Sequence, residues 1–143
     1  MKKLIGRREK ISLPEWGLKD ISGKIDTGAY TSSIHCDYSE VKKIEGRKVL
    51  YFTVLNKKHR KYNGRIIMTE NYTQKKVKNS FGQEELRFKV STKVIMFGEE
   101  FEMEFTLSDR SKMKNPILLG RKMLGGKFLV DVQQVNLSKK AKK

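Results

Sequence analysis

The 143-residue chain has the size of one domain with a single core, and its 37% hydrophobic and 34% charged residues mark it as globular with a densely charged surface. No apolar run approaches the roughly 18 residues of a membrane span, which argues against a membrane partner, and the basic opening, residues 1–7, lacks the apolar stretch of a secretory leader. The formal net charge of +16 predicts attraction to something acidic, be it nucleic acid, an anionic surface or an acidic peptide, without choosing among them.

In chain order the sequence reads mainly as strands. Residues 3–13 form a basic, partly apolar opening that Pro14 closes. Residues 19–25 lead into a turn at Asp26-Thr27-Gly28, and residues 31–36 resume an extended, β-branched run. The single cysteine, Cys36, can form no internal disulfide and suits a reducing cytoplasm. Residues 49–55 favour a pleated surface; residues 56–64 make a polar loop, and residues 65–69 a short strand after it. From about Val77 a hairpin is expected, turning at Asn79-Ser80-Phe81-Gly82 and returning over residues 86–90. Residues 93–97 run into Gly98-Glu99, and residues 101–107 alternate apolar with polar, so that their apolar stripe is core. Pro116 precedes Ile117-Leu118-Leu119-Gly120, followed by one helical turn over residues 121–124 and a final buried strand over residues 128–132. There is no internal repeat. Many short strands punctuated by turns predict an all-β chain, a small barrel or sandwich, with residues 1–136 as one domain and residues 137–143 as a basic, disordered tail.

The turn at residues 26–28 is the candidate for chemistry. An aspartate placed between Ile25 and a Thr-Gly step leaves a buried strand and enters a tight turn. Gly28 gives that turn backbone freedom and lets a ligand approach the main chain, while the Thr27 hydroxyl can fix its geometry. A carboxylate held this way meets the positional demand of acid-base catalysis, although Asp-Thr-Gly is ordinary turn chemistry too. His35, Cys36 and His59 are the other conceivable ligands. Adjacent His35 and Cys36 point to opposite faces of a strand, and His59 sits in a distant basic loop, so no zinc spacing is completed and no metal is expected. Cys36 reads instead as a small buried hydrophobe.

Asp-Thr-Gly-Ala, a hairpin with a small-residue tip and Ile-Leu-Leu-Gly-Arg follow one another in an order that resembles the retroviral-type aspartic proteases, the retropepsins. Ile25-Asp26-Thr27-Gly28-Ala29, Thr31-Ser32, Ile34-His35, the 79–82 hairpin with Glu85 and Arg87, Asp109-Arg110-Ser111 and Leu118-Leu119-Gly120-Arg121 are more closely similar to a bacterial family labelled ATP-dependent zinc protease and regarded as retropepsin-like. Its members are associated with ATP-grasp ligases that add glutamate to proteins. The likeness spans roughly residues 25–132. It implies a retropepsin-like acid-protease half-barrel with one short C-terminal helix, working as a homodimer.

One chain holds one such turn, since Asp20, Asp37, Asp109 and Asp131 lack it. The resemblance therefore implies a dyad of two Asp26 side chains across a two-fold axis, sharing one proton and activating a bound water, with neither metal nor cofactor. By the same resemblance Thr27 would cross-brace the two turns, and Gly28 and Ala29 would offer backbone groups to substrate. Ser80, Phe81 and Gly82 would form a closing flap, and Leu119, Gly120 and Arg121 would support the turn from below. Arg87, Arg110 and Arg121 are candidates to face substrate, although an arginine is more often a structural partner. Tyr30 and Thr31 stand where viral retropepsins carry acidic residues, which removes a carboxylate that Arg121 could have paired with, and the lysine-rich chain ends differ from the apolar ends through which viral dimers knit. No Gly-rich phosphate cradle supports the ATP part of the family's label. The expected activity is thus hydrolysis of peptide bonds, in acidic or glutamate-rich tails, by a cytoplasmic homodimer. The rival reading is a non-catalytic basic β-barrel that binds RNA or the ribosome, with nucleic acid otherwise a secondary partner, and a third is a monomeric pseudo-protease that keeps the fold without the dyad.

Overall fold

Alternation of side chains about the sheet plane builds most of the core of this protein, whose computed structural model describes residues 3–78, 81–110, 114–125 and 128–137. Strand β1 (Lys3–Gly6) is followed by β2 (Arg8–Leu13), in which every second residue, Glu9, Ile11 and Leu13, is buried. A short 3-10 turn at Pro14–Trp16 leads to β3 (Leu18–Ile25), β4 (Ser32–His35), β5 (Ser39–Ile44), β6 (Arg47–Phe52) and β7 (Ile67–Thr69). Then come β8 (Tyr72–Lys78), β9 (Glu84–Met96), β10 (Glu99–Ser108), β11 (Ile117–Leu119), the helical turn α1 (Arg121–Leu124) and β12 (Phe128–Asp131).

Six strands close into a barrel in the order β10-β4-β11-β3-β2-β9, because β9 pairs back onto β10 from Glu99–Met96 to Leu107–Phe88. Closure removes the unpaired edges an open sheet would expose. Among the described residues the fold is thus nearly all-β, with a closed six-stranded barrel and one short α-helix. Inside lie Ile11, Leu13, Ile21, Ile34, Val94, Phe105, Ile117 and Leu119. Phe105 is contributed by the alternating stripe of β10, where Met103, Phe105 and Leu107 face inward as their spacing requires. Trp16 plugs one flank, edge-on to Phe52 at 5.5 Å between ring centroids and 5.9 Å from Phe105. Phe52 comes from a separate sheet, β5-β6-β7, and β1 pairs with β12 in a two-stranded parallel sheet.

The structure departs from the pattern read from sequence at definite places. Strand β5 is unannounced because Val41 alone of its residues is even half-buried; its partner β6 and the two-residue turn at Glu45 (φ 50°) and Gly46 (φ 80°) hold it in place. The expected strand 49–55 ends at Phe52. Beyond it Thr53 donates to Tyr38 O (3.0 Å), and Leu55, at φ 71°, donates to His35 O (2.8 Å) while its side chain enters the core. The hairpin strand begins at Tyr72, earlier than Val77, and its turn residues Asn79 and Ser80 lie outside the described residues. The final strand is not buried: with β1 as its one partner among the described residues, β12 leaves Leu129 half exposed. Of the basic tail, residues 138–143 lie outside the described residues. Among the described residues no helix is long and apolar enough to cross a membrane.

A buried carboxylate straps the two ends of the chain together. Glu9 is fully buried, and its Oε2 accepts the amides of Gly6 (2.7 Å) and Leu137 (3.0 Å). Glu9→Ala leaves those donors without their acceptor, and is expected to lower the unfolding free energy by about 1–3 kcal/mol. Urea denaturation checks this, and an unchanged midpoint would show that the strap contributes nothing.

Candidate active site

Strand β3 buries Ile25 and then delivers Asp26, half-buried, to the barrel's end. The Ile25 amide donates to Arg7 O (2.8 Å) and the Asp26 amide to Leu119 O (2.9 Å), so the chain is pinned on both sides where it leaves the sheet. Asp26 Oδ1 then accepts the Gly28 amide (3.0 Å), and Asp26 O accepts the Ala29 amide (3.3 Å). This is an Asx turn: the side chain takes the place of a backbone acceptor and is itself held in one orientation. Thr27 and Gly28 are exposed and Ala29 is half-buried. A Cβ on Gly28 would stand 3.2 Å from Asp26 Oδ1, so glycine there keeps the carboxylate clear.

The segment from Leu119 to Lys122 lies under this turn and is bonded to it along its length. Gly120 donates to Ser32 Oγ (3.0 Å), the Arg121 amide to Ala29 O (2.8 Å) and the Lys122 amide to Tyr30 O (2.9 Å). The Arg121 side chain reaches Thr27 O through Nη1 (3.0 Å), and its guanidinium lies 5.8 Å from the Tyr30 ring centroid. In place of a neighbouring carboxylate, Arg121 uses a carbonyl and an aromatic face, which a guanidinium can do and an ammonium does poorly. Asp26, Thr27, Gly28, Ala29 and Arg121 are thereby one bonded cluster. Phe81 and Gly82 (φ 77°) stand at the tip of the β8–β9 hairpin, with Phe81 87% exposed; Ser80 lies outside the described residues.

A second cluster was not legible in sequence. His35 is buried, with Nδ1 accepting the Arg110 amide (2.8 Å) and Nε2 against Asp37 Oδ1 (2.6 Å). A neutral imidazole whose Nδ1 accepts carries its hydrogen on Nε2, and that N–H donates a hydrogen bond to Asp37 Oδ1. The Arg110 side chain turns back along β4, donating from Nε to Asn115 O (3.0 Å) and from Nη1 to Ser33 Oγ (3.4 Å). Burial pulls the Arg110 guanidinium below its ordinary range, Asp26 opposes that shift, and Arg87 adds to it. Arg110 therefore feels the charge of both Asp26 and Arg87. Arg87 pairs with Glu85 at 3.3 Å, while its Nε is buried with no hydrogen-bond partner among the described residues.

The conceivable zinc ligands are otherwise engaged. Both ring nitrogens of His35 have protein partners, and His59 Nδ1 accepts the Lys61 amide (2.9 Å). Burial pushes the Cys36 thiol up to about 11, so it remains a thiol and donates to Tyr38 O (3.0 Å). Among the described residues no three of His, Cys, Asp or Glu are grouped so as to hold a metal ion.

This sequence and fold have counterparts among known proteins. The structure aligns with a Legionella pneumophila protein of unknown function at a TM-score of 0.73 and 24% identity, covering 96% of this chain and 99% of that one, which shows a shared fold. Proteins named probable alpha-L-glutamate ligase from Shewanella pealeana and Desulfotalea psychrophila are 32% and 31% identical over 90% and 91% of this chain. The chain spans 28% of the length of each of those relatives. A family model described as RimB-like, retropepsin-like aspartic endopeptidase RimB, matches residues 4–141. The chain belongs to the RimB-like family of retropepsin-like aspartic endopeptidases.

Proposed function

We propose that this protein is an aspartic peptidase that acts as a homodimer and hydrolyses peptide bonds in acidic, glutamate-rich segments. The observation that carries the reading is the fixation of Asp26: amides on both sides of it are bonded, and one carboxylate oxygen is tied to Gly28 while the side chain stays half open to solvent. One carboxylate is half of the required chemistry, and a second copy related by a two-fold axis would supply the other half. The two would hold one proton between them. The ionised carboxylate takes a proton from a water molecule as the water oxygen attacks the scissile carbonyl, and the protonated one hydrogen-bonds the carbonyl oxygen. Collapse of the tetrahedral intermediate then breaks the C–N bond as the leaving amine receives a proton from the dyad. Support for an acidic substrate comes from the net charge of +16 and from relatives whose longer chains are named probable alpha-L-glutamate ligase. A peptidase that trims glutamates after a ligase has added them fits both.

The test is a peptide panel cleaved at low and high salt. Glutamate-rich peptides should be cut faster than matched neutral or lysine-rich ones, and the preference should shrink as added salt shortens the Debye length from about 10 Å at 0.1 M toward about 3 Å at 1 M. Specific activity should also fall on dilution as the dimer dissociates. Indifference to peptide charge would remove the acidic-substrate reading. Tight binding of structured RNA with no peptide cleaved would favour the basic RNA-binding barrel instead.

A further inference from the structure

We propose that Arg110 and Arg87 form a subsite beside Asp26 that reads a side-chain carboxylate of the bound peptide, and so set the enzyme's preference for glutamate over glutamine. This rests on the peptidase reading above and names the residues that would give it specificity.

The two arginines are brought together by the barrel's register. The last paired residues of β9 and β10 are Phe88 and Leu107, so Arg87 lies one step beyond them, level with Ser108. Ser108 pairs with His35, and His35 in turn holds the Arg110 amide. From there the Arg110 side chain runs back to Ser33, whose neighbour across the sheet is Leu118, itself paired with Lys24. The guanidinium thus lies over the same end of β11 and β3 from which Asp26 emerges. The electrostatics agree with that placement, since Asp26 stabilises the charged form of Arg110 and Arg87 destabilises it.

Arg87 disfavours the charged form of half-buried Arg110; Asp26 and the Glu85 partner of Arg87 (3.3 Å) offset part of that repulsion, and a ligand carboxylate would offset more. Arg87 Nε lacks an acceptor among the described residues although it is shut off from water, and a buried donor of that kind calls for a ligand or another explanation. A planar carboxylate matches the guanidinium fork, and it is the anion a peptide side chain carries. Arg110 already has Asn115 O and Ser33 Oγ to fix its orientation, which is the preorganisation a recognition residue needs. Arg121, by contrast, is committed to Thr27 O and the Tyr30 ring.

The experiment separates recognition from hydrolysis. Binding of two fluorescent peptides, one rich in glutamate and its glutamine-substituted twin, is measured by anisotropy on full-length Asp26→Asn protein. Further samples carry Arg110→Gln, Arg110→Lys or Arg87→Gln in addition, and Lys42→Gln, on the remote β5 edge, controls for loss of one positive charge. A charge-assisted pair predicts that the glutamate preference falls about tenfold or more with Arg110→Gln or Arg87→Gln, that Arg110→Lys loses an intermediate share, and that Lys42→Gln leaves it unchanged. Thermal melting identifies any variant that fails to fold, and the Arg87 and lysine variants then decide the matter. If the preference survives in every folded arginine variant, or falls equally with Lys42→Gln, the subsite is wrong. If the preference tracks the arginines but the wild-type protein cleaves no peptide, the subsite stands and the peptidase reading falls.

Discussion

Asp26→Asn is expected to lower peptide hydrolysis by about a thousandfold or more while leaving the melting transition essentially where it was. The amide is isosteric with the carboxylate, and its oxygen can still accept the Gly28 amide that Asp26 Oδ1 accepts at 3.0 Å. The Asp26 backbone bond to Leu119 O is untouched. What the amide cannot do is take a proton from water, so general-base catalysis, worth about 10²–10⁴-fold on its own, disappears together with the shared proton that polarises the carbonyl. The measurement is single-turnover cleavage of a glutamate-rich peptide alongside a thermal melt of the same sample. A variant that folds and retains more than a few per cent of the wild-type rate would show that Asp26 is not the reacting group. Mixed dimers of one wild-type chain and one Asp26→Asn chain, made by co-expression, should be as inactive as the full variant, because the dyad needs both carboxylates.

The parts of the molecule that could be read from sequence are those where the information is local. The period-two stripe of β10 fixes which face Phe105 takes, whatever that face packs against. The Asp-Thr-Gly turn is local too, because the bond from Gly28 to Asp26 spans two residues. The failures share a different cause. Strand β5 is exposed along nearly its whole length and exists because β6 pairs with it, which no window of its own residues encodes. Leu55 looks like strand and adopts a left-handed backbone because its amide finds His35 O. The exposed face of β12 follows from its having β1 alone as a strand neighbour among the described residues. At the candidate site, Arg121 could be named from the Leu-Leu-Gly-Arg segment, but its use of Tyr30 in place of a carboxylate could not. Arg110 and His35 are 75 residues apart, and their bond is visible only once β4 and β10 lie side by side.

Gly120 is where stability and catalysis should fail together. Its backbone is extended (φ −89°, ψ 176°), a conformation open to any residue, so the requirement for glycine is steric. A Cβ there would stand 2.8 Å from the carbonyl carbon and oxygen of Thr31 and from Tyr30 O, all of them backbone atoms that cannot swing aside. The strand leaving the Asp26 turn must therefore move, and with it the bonds from Gly120 to Ser32 Oγ, from Arg121 to Ala29 O and from Lys122 to Tyr30 O. Gly120→Ala should cost about 1–3 kcal/mol from overpacking, partly offset by about 0.4–1 kcal/mol from a less flexible unfolded chain. Gly120→Val should cost more. Because the displaced segment continues directly from the turn that holds Asp26, and Leu119 beside Gly120 accepts the Asp26 amide, kcat should fall by about a hundredfold for a shift of roughly 1 Å, with a smaller change in KM. Gly46→Ala is the matching control: its φ of 80° makes the substitution strained, but nothing lies within 4 Å of the new Cβ and the turn is remote from Asp26. It should lower the urea midpoint and leave kcat alone. If Gly120→Ala behaves like Gly46→Ala, losing stability but no turnover, then the segment under the turn supports the barrel and does not set the position of Asp26.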